Sequence, residues 1–542
     1  MKARNLVNRV SLHSRVVLAV CVLTLTACMN VPDRATPVQT PTNLPTITTH
    51  AHHRLSLASP ASASQLDVHQ GVTEGLLSMG PGIAYSRIVR LRSGPDVILP
   101  SLGVECDLCS HWEHPHPLSY TFHIRPALWH NIPPVNGRSL TAQDVAFSID
   151  RVRTPGWPGA SLLQAIESVE ATDNLTVTIR LKYPDTDFLV ALANGQIKIV
   201  PPEAVRLGGD LQHGPTIGTG PWVLVEDNPT QLLFEAYHAY YEPGLPRLRH
   251  LRVVPISGGL ARLAAFLTGQ IDLTTLNPEE WQRLQKMGTA VHSGTFPQPG
   301  TGLLLGLKAS TPPFDDMKAR QAIFQALDPW RAIDSVWQGH GNVTIGVPLA
   351  SHSWLLSEEE MSNYLANHGR IKSLMANSRA TKPVTFELTV ADYGDKYLAM
   401  GEEYELMLRK AGFKPTLRLV NPRVYAEEVW SQGSFQAFLG PMPPVHTPNA
   451  FLFSILHSEG SWSGTGYFDR ELDRLIEEQS IAQNKRSELV RNIQRYVMDK
   501  AILFMPVSGT SLWVWHEQVA DFNPNFAGSE YFHWARLRVN EE

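Results

Sequence analysis

The hydrophobic period of this chain switches repeatedly between two and 3.6. SYTFHIR (119–125) places Tyr120, Phe122 and Ile124 on one face and Thr121, His123 and Arg125 on the other, which predicts a half-buried strand. The alternation makes His123 a surface strand residue rather than a ligand. SLTAQDVAFSIDRV then predicts a helix, with Thr141 as N-cap, Asp144 as its capping-box partner, and Val145, Ile149 and Val152 on one face. LTVTIRL (175–181) is a second alternating strand. LARLAAFLTGQIDL reads as a helix stopped at Gly269 and followed by a strand; EEYELMLRKAGFKPTLRLV repeats the pattern around Gly412. FDDMKARQAIFQAL is another amphipathic helix, and ELDRLIEEQ and SELVRNIQRYVMDKA precede the apolar strand ILFMPV. Helices alternating with strands in this way pack as α/β layers. A chain of 542 residues has room for two to four such domains. Its formal charge is -5, and no basic run stands out after residue 15, so no nucleic-acid partner is expected.

The N-terminus fixes the compartment. Lys2, Arg4, Arg9 and Arg15 form a basic region without acids, and VVLAVCVLTL follows. That apolar stretch is too short to span a bilayer and reads as an export signal. LTAC, ending at Cys28, resembles a bacterial lipobox, which implies cleavage before Cys28 and lipid on its sulfur. An ordinary signal peptide with a chance cysteine is the alternative. Loss of residues 1–27 removes four basic residues and no acid, taking the formal charge from -5 to -9. Residues 28–53 are rich in Pro and Thr and read as a tether, reaching roughly 30 Å as a coil or about 70 Å as polyproline II. His50, His52 and His53 fit a solvated tether. The expected location is the periplasm or the outer face of the cell membrane, where ATP and nicotinamide cofactors are lacking. No cofactor is expected.

The order of the motifs resembles a family. LSYTFHIRPALWHN, NGRSLTAQDVAFSIDRV, IGTGPWVLVE, YYEPGLPRLRHLRVVPI, RLAAFLTGQIDL, PPFDDMKARQAIFQALD and LRKAGFKPTLRLV follow one another as in the family 5 extracytoplasmic solute-binding proteins. These are the dipeptide, oligopeptide and nickel receptors of ABC importers. GYFDRELDRLIEEQ is similar to the family's pattern before the last helices. The resemblance spans roughly residues 55 to 540 and implies a type II, cluster C periplasmic-binding-protein fold. Two α/β lobes would close on a solute, with an extra subdomain inserted in the N-terminal lobe. It implies lobe I at 54–85, 200–301 and 506–542, the inserted subdomain at 86–199, and lobe II at 302–505. It also implies a monomer that hands a peptide or similar small solute to ABC permease subunits.

One segment departs from the family. SQGSFQAFLGPMPPVHTPNAFLFSILHS, between Trp430 and Glu459, holds no Asp, Glu, Lys or Arg. Peptide-binding relatives carry W-x-x-D-Y-P-D-P here, a loop that lines the cleft and whose first Asp pairs with a peptide's free amine. Here Thr447-Pro448 stands where Asp-Pro is usual. A pocket without a carboxylate should not favour an isolated ammonium, and the prolines restrict the loop before binding. Phe438, Gly440, Met442, Pro443, His446 and Asn449 are therefore expected to line the cleft. Trp462 and Tyr467, in SEGSWSGTGY, are expected to stack there on solute. The competing reading is a neutral buried loop.

GVECDLCSHWEHPHP (103–117) gathers Cys106, Cys109, His111, His114 and His116. Metal, free thiols and a disulfide are all open, and the exported compartment favours a Cys106–Cys109 disulfide. HExxH, G-x-S-x-G and Walker A motifs are absent from the sequence. The lone G-x-G of IGTGPW precedes a strand, so it is no dinucleotide motif. Two readings remain: a solute receptor, or a nickel or zinc carrier or metal-dependent extracellular enzyme built on the Cys/His cluster.

Overall fold

The computed structural model describes residues 54–59, 67–348, 351–482, 484–525 and 532–540. The signal peptide, Cys28 and the tether lie outside them. One eleven-stranded mixed sheet runs through the body. At one end, Thr385–Ala391 pairs in parallel with Lys414–Val420 and Ala437–Gly440. At the other, Arg54–Ser59 pairs in parallel with His250–Pro255 and Leu273–Leu276. Two long antiparallel strands, His292–Leu307 and Leu503–Trp515, join the halves. Their register slips between Pro297 and Gly302, where the pair passes from one half to the other.

Separate cores lie on the two halves. One draws on residues 303–507, including Phe386, Tyr404, Phe438 and Phe504. Two smaller ones, around Trp222, Trp513 and Trp534 and around Phe266 and Leu284, cover the first half. A third unit is built on a four-stranded antiparallel sheet, in the order Cys109–His116, Ser119–Ile124, Thr176–Leu181 and Ile166–Ala171. Its core takes in Val68, Leu76 and Tyr85 on one side of the expected boundaries and Ala204 and Ile217 on the other. Its core thus draws on residues that flank 86–199 on both sides.

The local signals follow their physics. The Ala142–Val152 helix starts as the capping box requires, with Thr141 N donating to Asp144 Oδ2 at 3.0 Å. Arg138 forks onto the same carboxylate, 2.8 Å on each arm, and Arg138 Nε reaches Glu203 Oε1 at 2.6 Å. Asp144 is buried and paired with one guanidinium, which it shares with Glu203, so this motif serves folding.

IGTGPW is stitched to Ala84 and His130 of the inserted unit. Gly220 N donates to Ala84 O at 3.0 Å, and His130 N donates to Gly218 O at 2.9 Å. Gly218 N donates to His130 Nδ1 at 3.3 Å, so the proton of this buried imidazole sits on Nε2 and is given to Gly220 O at 3.0 Å. Burial lowers the His130 pKa to about 4. An unfolded histidine takes a proton near pH 6.5, so between pH 6.5 and 4 the unfolded state binds more protons. Stability should be full above pH 6.5 and fall with pH by about 3 kcal/mol from this residue. Melting curves of the wild type and His130→Gln between pH 7.5 and 4 check this. The variant should be less stable at pH 7.5 and lose less on acidification; an equal loss would remove His130 as the cause.

Candidate functional site

Ligands of open α/β sheets bind beyond the carboxyl ends of the strands. The parallel strands of the second lobe end at Ala391, Val420 and Gly440, on one edge of the sheet. Gly440 pairs with Leu304, where the crossing strand has just entered this lobe. Residues 441–449 therefore leave the sheet at its carboxyl edge, beside the crossover.

The neutral segment splits into three parts. Ala437–Gly440 is a buried strand. Phe438, expected to line the cleft, is a core residue: it is 1% exposed, with the Phe435 and Trp430 rings 5.0 and 5.2 Å away. Gly440 also faces inward, since a Cβ there would meet Tyr425 Cζ at 2.5 Å and Ala391 Cβ at 2.7 Å. The turn 441–447 is tied by Trp430 Nε1 donating to Pro441 O at 3.1 Å. Within it Pro443 is buried, Met442 packs half-buried against the core, and His446 is half-buried with its pKa lowered by burial. Pro448–Phe451 then opens a helical turn, with Thr447 Oγ1 accepting from Ala450 N at 3.1 Å. Thr447 thus caps the turn without charge, as an aspartate would with it.

Trp462 and Tyr467 belong to the opposite edge of the sheet. Their loop gives its Gly464 carbonyl to Lys308 Nζ at 2.7 Å and its Thr465 carbonyl to Ala309 N at 2.8 Å. Lys308 follows Leu307, which pairs with Ala437 at the amino end of the strand. Tyr467 OH donates to Asp469 Oδ2 at 3.2 Å, and its ring lies under Arg320. The Gly/Ser composition around them marks a turn, held at the amino edge through Gly464 and Thr465 and tied by Trp462 N to Ser454 O at 2.8 Å.

Asn449 has a different role from the one expected: it joins a polar seam between the second lobe and the inserted unit. Asn449 N donates to Asp187 Oδ2 at 2.7 Å, and its Nδ2 to Asp185 Oδ1 at 3.3 Å. Gln479 Nε2 donates to Asn449 Oδ1 at 2.8 Å, and Arg486 Nε to Gln479 Oε1 at 3.1 Å. Arg486 closes the ring by forking onto Asp187, with Nη2 to Oδ2 at 2.7 Å. Thr186 N and Oγ1 both donate to Ser480 O. Trp354 lies 5.3 Å from the Arg486 guanidinium carbon. A cavity of about 620 Å³ opens along the seam, lined among others by His114, Tyr120, Asp185, Trp354, Ile481 and Arg486. Burial, then the Asp187 charge, raises the Asp185 pKa.

The seam gives the absence of an acid at position 449 a physical reason. Two carboxylates of the inserted unit already face this turn. A further acid there would repel them, whereas Asn449 donates its side-chain amide to Asp185 and its backbone N–H to Asp187. Sequence reasoning missed Asp185, Asp187, Gln479 and Arg486. PDTD (184–187) reads as an ordinary turn, and Arg486 as one basic residue at a helix start. Only their distance in sequence hid the pairing, 299 residues for Asp187 and Arg486.

Cys106 and Cys109 are joined by a disulfide, with Cα atoms 5.0 Å apart. The alternative metal reading therefore loses both thiolates. The histidines also diverge: His114 stacks on Tyr120 at 4.1 Å, and His116 Nδ1 accepts from Leu118 N at 3.2 Å. No helix among the described residues is long and apolar enough to cross a membrane.

The chain has relatives along most of its length. Residues 103–463 match the family model described as "Bacterial extracellular solute-binding proteins, family 5 Middle". Heme-binding protein A of Haemophilus influenzae is 27% identical over 315 residues, 54% of this chain and 56% of that protein. The aligned stretch thus spans little more than half of that relative. Probable di/tripeptide-binding protein 5 of Pseudomonas aeruginosa is 23% identical over 506 residues, 88% of this chain and 94% of that protein. The structure of HbpA2 from Haemophilus parasuis superposes with a TM-score of 0.76 at 20% identity, covering 90% of this chain and all of that one. The two-lobe α/β fold and the match over two-thirds of its residues make this chain a member of the family 5 bacterial extracellular solute-binding proteins.

Proposed function

We propose that this chain is a lipid-anchored extracytoplasmic receptor of an ABC importer. As a monomer it encloses a peptide or similar small solute between its lobes and delivers it to the permease. On this reading it is a binding protein, not an enzyme. The observation that carries the reading is the polar seam. Its contacts between the inserted unit and the second lobe are hydrogen bonds and one ion pair, groups that water can satisfy when the lobes part. Two long crossing strands supply the hinge. The di/tripeptide-binding relative supports a peptide-like solute. The residues best placed to meet it are Met442 and His446, in the turn at the carboxyl edge of the sheet.

Mass spectrometry of the ligand that co-purifies with the native protein tests the reading directly. Recovery of a peptide or similar small solute supports it; its absence from protein that also fails to contract with candidate solutes in small-angle scattering would sink it. A peptide panel refines it. Free and N-acetylated peptides should bind within about tenfold, because residues 441–449 hold no carboxylate and Arg486 already occupies Asp187. A hundredfold loss on acetylation would pass the amine site to Asp185. Anchoring has its own check: Cys28→Ala should end fatty-acid labelling and release the protein from the membrane fraction. A variant that still takes up label would refute the lipobox assignment.

A further inference from the structure

The strand pair Cys109–His116 and Ser119–Ile124 has two unlike faces. Trp112 and Phe122 oppose each other on the face that packs on the inserted unit's core. On the outer face His111 opposes His123, and Glu113 follows two residues on, opposite Thr121. Strand period and register thus bring two imidazoles and one carboxylate together. The His rings stack with centroids 4.2 Å apart and planes 11° from parallel. One ligand atom from each of the three residues lies within 4.8 Å of the others.

The hydrogen bonds around the cluster leave two of its imidazole nitrogens without a partner. Ser110 Oγ donates to His123 O at 3.1 Å, which spends its only proton. The same oxygen lies 3.1 Å from His111 Nδ1, so there it accepts, and His111 carries its proton on Nδ1. His111 Nε2 is left with a free lone pair. His123 Nε2 is shut off from water and makes no hydrogen bond, with Glu113 Oε1 3.4 Å away. Such an orphaned nitrogen beside a carboxylate is what a cation would satisfy. The backbone under the cluster is held as well: Arg125 Nε and Nη2 both donate to Cys109 O, and the Cys106–Cys109 disulfide precedes the strand. Ser110 stands to His111 as an outer-shell acceptor stands to a metal-binding imidazole.

We propose that His111, Glu113 and His123 form a surface site for a first-row divalent transition cation of the zinc class, apart from the seam. Two nitrogens and one carboxylate oxygen suit Zn²⁺, with water in the fourth position, and Cu²⁺ binds the same set more tightly. The site differs from the cysteine-based one considered from sequence, since no sulfur takes part. It does not rest on the solute-receptor reading.

The test uses the mature chain, free of any histidine tag, with its disulfide intact and stripped with chelator. Zn²⁺ titration by calorimetry at pH 7.5 should give one saturable site. His111→Ala and His123→Ala should each weaken it at least about tenfold. The Cu²⁺ electron paramagnetic resonance spectrum should report two coupled nitrogens in the wild type and one in either variant. Replacing His114 and His116 together, or His50, His52 and His53 together, should leave titration and spectrum unchanged. Glu113→Gln, which keeps the shape, should weaken Zn²⁺ binding and retain both nitrogens. Failure to saturate by about 1 mM Zn²⁺ would overturn the proposal, as would unchanged binding when His111 and His123 are both replaced.

Discussion

Arg486→Ala should weaken solute capture by about a hundredfold or more while both lobes remain folded. Asp187 and Arg486 have side chains only 3% and 9% exposed and share two hydrogen bonds. Removing one partner from such a pair costs about 3–5 kcal/mol, because the other charge stays buried alone. The position of the pair decides where that cost falls. It bridges the inserted unit and the second lobe, so opening the seam rehydrates Asp187. The penalty then belongs to the closed state and appears as lost affinity, about 10²- to 10³-fold, with faster release. Replacing both residues with apolar ones of similar size, Asp187→Leu with Arg486→Met, should recover most of the affinity, since no charge is left unpaired. Calorimetry with the co-purified solute measures the affinities, and small-angle scattering the closure. A single variant that binds normally but melts well below the wild type would make the pair a folding element.

Gly218→Ala should be the most damaging single methyl added to IGTGPW. A Cβ at this position would lie 1.7 Å from Ala84 O, 2.5 Å from Ala84 C and 3.0 Å from Tyr85 Cα, all backbone atoms. No side chain can rotate away, so the two segments must separate. The Gly220–Ala84 and His130–Gly218 hydrogen bonds go with them. Losses of this kind reach about 4 kcal/mol, or on the order of 10 °C in melting temperature. Gly209→Ala is the control: its φ of 79° is unfavourable for alanine, yet nothing lies within 4 Å of the added carbon. It should cost about 1 kcal/mol. Equal melting temperatures for the two variants would mean that the close approach does not hold the inserted unit in place.

IGTGPW also illustrates how function and folding look alike in sequence. Two glycines around a threonine suggest a backbone that something must approach closely. The sequence rules out a dinucleotide, because a strand follows. What approaches is the chain itself, at Ala84, and only the fold reveals that. The capping box at Thr141 needed no such help, since its two members, Thr141 and Asp144, lie three residues apart.

Local order was legible wherever both partners of an interaction are close in the chain. Period-two and period-3.6 patterns, helix caps and the Cys106–Cys109 pair are of this kind, and the order of the motifs identified the family. Sites assembled from distant segments were not legible. Phe438 and Met442 are both apolar residues of one neutral stretch, and strand pairing buries the first while the turn after Gly440 leaves the second half-exposed. Trp462 and Tyr467 read as candidates for stacking until the sheet placed their loop at its amino edge. His123 reads in the sequence as a surface strand residue rather than a ligand; the antiparallel register that sets it against His111 and half-buries it is visible only in the fold. The neutrality of residues 431–458 was plain in the sequence. That one of these residues, Asn449, faces two carboxylates from more than 250 residues away belongs to the tertiary structure. Pattern is fixed by neighbours along the chain, whereas electrostatic and packing partners are fixed by chain closure, which brings together residues that no local spacing relates.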